Sequence, residues 1–199
     1  MNIKLEEIEA VLFDLDGVLI DSIDAWFSAF NQTLEKFGKE SLKKKEFKEN
    51  HWGRELEVNI NTYGLGKKAK KYCKSKFLDN IKKIELFPKA KSVLESVNKR
   101  KGLVTSTPRY QTFEVLEQFD LGEYFDVVVS GDDVKKPKPA AEPVLKACEK
   151  LGFGPEKVIF VGDSESDVKA GKAGGCRVIG VNVESDFEIK QISELLDLF

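Results

Sequence analysis

Five short apolar runs, at residues 9–14, 102–106, 126–130, 158–162 and 177–181, alternate with helical patterns in this chain. The helical stretches fall at about 88–99, 109–119, 141–151 and 164–174. Few folds satisfy that alternation. A strand can pair in parallel with the next one only through a crossover, and a helix supplies the crossover while covering one face of the sheet. The expected fold class is therefore α/β, a doubly wound parallel sheet. Local chemistry marks the boundaries. Pro88 and Pro108 suit first helical turns, Ser164 is placed to cap a helix, and Gly174-Gly175 marks that helix's end. Between Ser96 and Thr105 there is almost no loop, so Asn98, which tolerates a left-handed conformation, is the expected helix stop. Ile192, Leu195, Leu196 and Phe199 close the chain at helical spacing and predict a tail packed on the core.

Between the first and second runs lie residues without a strand signal. Trp26, Phe27, Phe30, Leu34 and Phe37 recur at helical spacing and Gly38 supplies a stop. Further helices are expected near 43–50, 54–62 and 67–83, with Gly64-Leu65-Gly66 as a turn. The reading is a small all-helical domain over 21–84, inserted after the first strand of a core made of 1–20 and 85–199.

The chain has 199 residues, enough for one substantial core with a small insertion. Its 32 Lys+Arg nearly balance 34 Asp+Glu, which argues against a dedicated nucleic-acid binder. The charge is unevenly spread, however. Residues 36–83 hold 15 Lys+Arg against 6 Asp+Glu, a local net of +9 beside a remainder of −11. Cys73, Cys148 and Cys176 are scattered and His51 is the only histidine, so a zinc site or a histidine-based triad is nearly excluded. Sparse cysteines, an opening stretch without a signal-peptide pattern and no apolar run of membrane-spanning length point to a cytoplasmic protein with no membrane partner.

The chemistry gathers where strands end. The first run closes on Asp14-Leu15-Asp16-Gly17, two carboxylates at i, i+2. On a strand that spacing puts both on one face at the carboxyl end, where open α/β sheets bind ligands. Carboxylates so close repel each other and are tolerable mainly around a divalent cation or a phosphoryl group. The second run ends Thr105-Ser106-Thr107-Pro108, and hydroxyls and N–H groups before a helix can hold phosphate oxygens. After the third comes Lys135-Lys136-Pro137-Lys138-Pro139, where Lys-Pro-x-Pro would present a lysine from a stiff backbone. The fourth ends Gly162-Asp163-Ser164-Glu165-Ser166-Asp167 and adds two carboxylates, making an oxygen-rich site suited to Mg²⁺.

In order, these four sites resemble the motif set of the haloacid dehalogenase-like hydrolases: Asp-x-Asp, Thr/Ser, Lys, then Gly-Asp-x-x-x-Asp. The likeness covers nearly the whole chain, includes a helical cap after the first motif, and from residue 103 onward is closest in wording to the phosphoglycolate phosphatase and β-phosphoglucomutase branch. It implies a Rossmann-like core and a phosphatase of small phosphorylated metabolites. By that resemblance Asp14 is the nucleophile that forms an aspartyl-phosphate, and Asp16 protonates the leaving group and then activates water. Thr105 and Ser106 hold phosphoryl oxygens, and Lys136, the residue before Pro-x-Pro, takes the family lysine's role. Mg²⁺ is expected on the carboxylates of Asp14 and Asp163 and the carbonyl of Asp16, with Asp167 in support.

In the inserted domain, His51-Trp52-Gly53-Arg54-Glu55 is the segment expected to reach substrate, with Arg54 gripping an anion. The favoured reading is a phosphatase with phosphoglycolate as lead substrate, acting as monomer or homodimer, with pyrophosphate or sugar phosphates behind it. A phosphomutase would use the same residues. A non-enzymatic receiver would gather similar residues but needs neither Asp-x-Asp nor an inserted domain. A dehalogenase has no use for the acid that Asp16 supplies.

Overall fold

Along Ala10–Phe13 no side chain reaches solvent, because this strand lies in the middle of a sheet covered on both faces. The computed structural model describes residues 5–199; the first four, where the segment read for a signal peptide begins, lie outside it. In chain order the elements are β1 (Ala10–Phe13), β2 (Ile20–Asp21), α1 (Ile23–Lys36), α2 (Lys44–Asn50), α3 (Leu56–Thr62), α4 (Lys67–Asp79), β3 (Glu85–Leu86), α5 (Ala90–Ser96) and β4 (Arg100–Val104). There follow α6 (Arg109–Gln118), β5 (Val127–Val129), α7 (Glu142–Leu151), β6 (Val158–Gly162), α8 (Glu165–Gly174), β7 (Arg177–Val181) and β8 (Phe187–Ile189). They form two compact units, the segment ending at Ile20 with Leu86–Phe199, and Asp21–Glu85.

The larger unit holds a sheet of order β5-β4-β1-β6-β7-β8, with every neighbouring pair parallel. From β1 the chain builds outward through β4 and β5, then returns to lay β6, β7 and β8 on the other side. The order therefore reverses between β1 and β6, and the crevice beyond the carboxyl ends there is where such sheets bind ligands. Behind it, Leu12, Val104 and Phe160 of the sheet pack with Val144 and Cys148 of α7 and Ala170 of α8.

Local boundaries differ from the sequence reading where tertiary packing overrides propensity. The strand expected at 102–106 runs Arg100–Val104, since α5 already ends at Ser96, with Val97 donating back to Val93. Asn98 is thus not the helix stop. Pro88 precedes α5, whose start is set by Lys89 in a left-handed conformation (φ 67°), and Pro108 sits at the N-cap of α6. Ser164 does cap α8, in a reciprocal box with Asp167, and Gly175 ends it at φ 83°. β8 is an edge strand with only Ile189 buried, too short and polar to show as an apolar run. The tail forms a 3₁₀ helix over Ile192–Asp197 that buries Ile192 and Leu195.

The smaller unit is built from α1–α4. Helix α1 buries Ala25, Ala29, Phe30 and Leu34 along one stripe, and Trp26 stacks on Phe77 of α4 at 4.1 Å between ring centroids. Helix α4 stops at Asp79, where the Asn80 side chain donates to the Lys76 carbonyl and a 3₁₀ turn takes over.

Candidate active site

Asp14 is the residue after β1 and still belongs to the ladder, its N–H donating to the Val161 carbonyl at 2.9 Å. This brings a nearly buried carboxylate to the point where strand order reverses. Its Oδ1 accepts from Lys138 Nζ at 2.8 Å, and the same ammonium donates to Asp167 Oδ1 at 2.6 Å. The other oxygen of Asp167 accepts from the Ser164 hydroxyl (2.6 Å) and N–H (3.1 Å), so the cap of α8 also holds a carboxylate of the site. Gly162 makes room for this, since a Cβ there would stand 2.3 Å from the Cβ of Asp167.

The lysine expected here was Lys136, and the structure corrects that. Lys136 is exposed, and its N–H and that of Lys135 donate to the Glu142 carboxylate at 2.9 and 2.8 Å, closing a turn in front of α7. Lys138, only 5 % exposed, is the lysine that reaches Asp14. Two Lys-Pro dipeptides follow one another in this loop, 136–137 and 138–139, and only the first completes Lys-Pro-x-Pro. A usable signal was the four-residue step from Lys138 to Glu142-Pro143, where α7 opens.

Asp16 is half-buried, and its Oδ2 accepts from the Thr107 hydroxyl at 2.8 Å. The turn after it depends on Gly17, which has φ +83° and whose missing Cβ would lie 1.9 Å from Asp163 Oδ2. Thr105 extends β4 through its N–H to Val129 O (3.0 Å), and its buried hydroxyl accepts the Thr107 N–H at 3.0 Å. Ser106, between them, is exposed. Thr107 is a site residue the sequence reading passed over, because a Thr before Pro at a helix start reads as an ordinary cap.

Ligand oxygens of Asp14, Asp163 and Asp167 lie within 4.8 Å of one another. Burial pushes the Asp14 carboxyl well above the usual carboxylate range; Lys138 pulls it back, and Asp167, Asp163 and Asp16 push it further up. Burial, then Asp167, takes Asp163 to about 7. Burial pulls Lys138 down, but Asp14 and Asp167 more than offset this, so it stays charged. Were all three carboxylates ionised around the one ammonium, two negative charges would remain, a balance that one divalent cation would complete. The all-oxygen donor set suits a hard one. Asp167 has both oxygens engaged, so Asp14 and Asp163 are the carboxylates best placed to hold it.

Residues 11–181 match the family model of the haloacid dehalogenase-like hydrolases. The chain belongs to that family. It is 35 % identical over 185 residues to a phosphorylated carbohydrates phosphatase of Thermotoga maritima, covering 87 % of this chain and 85 % of the relative. It is 30 % identical over 211 residues to a phosphoglycolate phosphatase of Salmonella choleraesuis, covering 89 % and 82 %. Among solved structures, CbbY of Rhodobacter sphaeroides in complex with phosphate shares the fold, with a TM-score of 0.83 at 23 % identity over 94 % of this chain and 96 % of that one. With these relatives, this haloacid dehalogenase-like hydrolase is an enzyme, a phosphatase of its family.

Within the smaller unit of this hydrolase, His51 is a core residue. Its ring lies between Asn59 Oδ1 (3.1 Å) and the Tyr63 hydroxyl (3.0 Å), against Phe30 and Phe47. Trp52 is half-buried, and Arg54 is exposed in the loop between α2 and α3. Among the described residues no helix is long and apolar enough to cross a membrane.

Proposed function

We propose that this chain is a Mg²⁺-dependent phosphatase of small phosphorylated metabolites, phosphoglycolate and phosphosugars foremost, working through an aspartyl-phosphate on Asp14. The observation that carries the reading is the buried Asp14–Lys138–Asp167 chain at the reversal of strand order, with Asp163 beside it. Lys138 takes up negative charge where nucleophile and phosphoryl group meet, which is the main obstacle to attack by one anion on another. An Asp14 oxygen forms a bond to phosphorus while the ester P–O bond breaks, and Asp16 gives its proton to the departing oxygen. Water then attacks the same phosphorus as Asp16 takes its proton back, releasing phosphate and restoring Asp14. Thr105 donates its hydroxyl proton to a phosphoryl oxygen. Asp14 and Asp163, with the Asp16 carbonyl, would hold Mg²⁺, which supplies charge neutralisation and alignment of the phosphoryl group. Arg54, exposed in the helical unit, is the candidate anion contact of this reading. The substrate class is supported by what the relatives act on, and free, buried Cys73, Cys148 and Cys176 suit a reducing, cytoplasmic setting.

The test is phosphate release from a panel of phosphorylated metabolites, with and without Mg²⁺, followed by acid-quench trapping of phosphorylated enzyme. Mg²⁺-dependent release and a label on Asp14 support the reading. Release without labelled enzyme overturns the mechanism, and transfer to the sugar's second hydroxyl without phosphate release identifies a mutase.

A further inference from the structure

We propose that Thr107 is a positioning residue that fixes the orientation of the Asp16 carboxyl; the inference rests on the acid–base role given to Asp16 above. Thr107 is nearly buried and held at both backbone groups. Its N–H donates to Thr105 Oγ1 (3.0 Å), and its carbonyl accepts from the Gly131 N–H (3.0 Å) and shares the Thr112 hydroxyl with the Pro108 carbonyl (3.1 and 3.0 Å). A β-branched side chain on so fixed a backbone has little rotamer freedom, so its hydroxyl stands at a set point. From there it donates to Asp16 Oδ2 at 2.8 Å.

A hydroxyl has one proton to give. Given to Oδ2, it anchors that carboxyl oxygen against the fixed backbone of Thr107. The contact fixes the carboxyl plane, so the acid meets the leaving oxygen in one orientation. Proton transfer gains rate only when donor and acceptor are within hydrogen-bond reach, which makes the orientation count in kcat rather than in binding. Thr107 also sets Thr105. Because Thr105 Oγ1 already accepts the Thr107 N–H, its own proton is directed elsewhere, toward a phosphoryl oxygen. One residue thus aligns the phosphate-holding hydroxyl through its backbone and the acid through its side chain.

The two roles separate by substitution. T107V keeps shape, β-branching and N–H and removes only the hydroxyl, while T107S keeps it. Rapid-quench rates of aspartyl-phosphate formation are compared for an alkyl phosphate and for p-nitrophenyl phosphate, whose phenolate leaves without a proton. Loss of the hydrogen bond to the carboxylate that forms as Asp16 gives up its proton predicts that T107V forms the intermediate about tenfold or more slowly from the alkyl ester. It should be within about twofold of wild type with the aryl ester, with KM for the alkyl ester little changed and T107S restoring the rate. Equal losses on both esters, a raised KM with unchanged kcat, or no loss at all would overturn the proposal. Failure of the underlying reading looks different: wild-type enzyme would accumulate no phosphorylated Asp14, or D16A would not distinguish the two esters.

Discussion

Lys138 satisfies two buried carboxylates with one ammonium, and removing it leaves Asp14 and Asp167 facing each other without a cation. Breaking a buried pair from one side costs about 3–5 kcal/mol, and uptake of a proton by one carboxyl offsets part of that. K138A is therefore expected to lower unfolding free energy by about 3 kcal/mol and kcat by at least ~10²-fold. K136A, altering an exposed side chain, should stay within about twofold in both. Urea melts and steady-state kinetics on the two variants check this; equal activity losses would count against the buried lysine. D14N, which keeps the shape of the nucleophile and removes its charge, is expected to abolish turnover and leave the melt close to wild type, measured by phosphate release and circular dichroism. At this scale the carboxylates were legible because Asp14, Asp16, Asp163 and Asp167 sit at fixed offsets from apolar strands, and strand ends are easy to place. Lys138 and Thr107 were not, since both lie in irregular backbone where reach, rather than spacing, decides what a side chain touches.

The element that ties structure to chemistry most closely is the first turn of α8. Ser164 both caps the helix and holds Asp167, whose other oxygen holds Lys138. S164A should cost about 1 kcal/mol as a lost cap. It should also lower kcat several-fold with KM nearly unchanged, because a loosened Asp167 loosens the lysine, not the substrate. Denaturant titration and kcat measured on the same preparation check both. A stability loss with full activity would confine Ser164 to the helix. The helices and central strands of this fold were readable from periodicity and capping residues. What was not readable is where neighbours set the boundary. Pairing with Ala10–Phe13 draws β4 back to Arg100, and β8 owes its existence to hydrogen bonds along β7 rather than to its own composition.

Across the molecule, a cation bound only by the folded state adds stability by mass action. At a Mg²⁺ concentration about 100 times Kd the gain is about 2.7 kcal/mol, or roughly 5–10 °C in Tm for a chain of this length. Calorimetry with EDTA and then with Mg²⁺ should show that rise in wild type and none in D163N. A D163N protein that still gains stability would move the cation elsewhere. The charge imbalance between 36–83 and the rest of the chain was plain in the sequence.

The placement of β1 also bears on how the chain emerges from the ribosome. Of the strands in its sheet this one is made before the others and is wholly apolar, yet β4 is synthesised about 90 residues later and β6 roughly 150 residues later. At about 5–20 residues per second, one edge of β1 waits on the order of ten seconds for its first partner and the other still longer. During that interval Ala10–Phe13 is an unpaired hydrophobic strand, open to chaperones and to other nascent chains. Chains halted before residue 158 should be found bound or aggregated, and they lack Asp163 and Asp167, two of the three carboxylates grouped at the site.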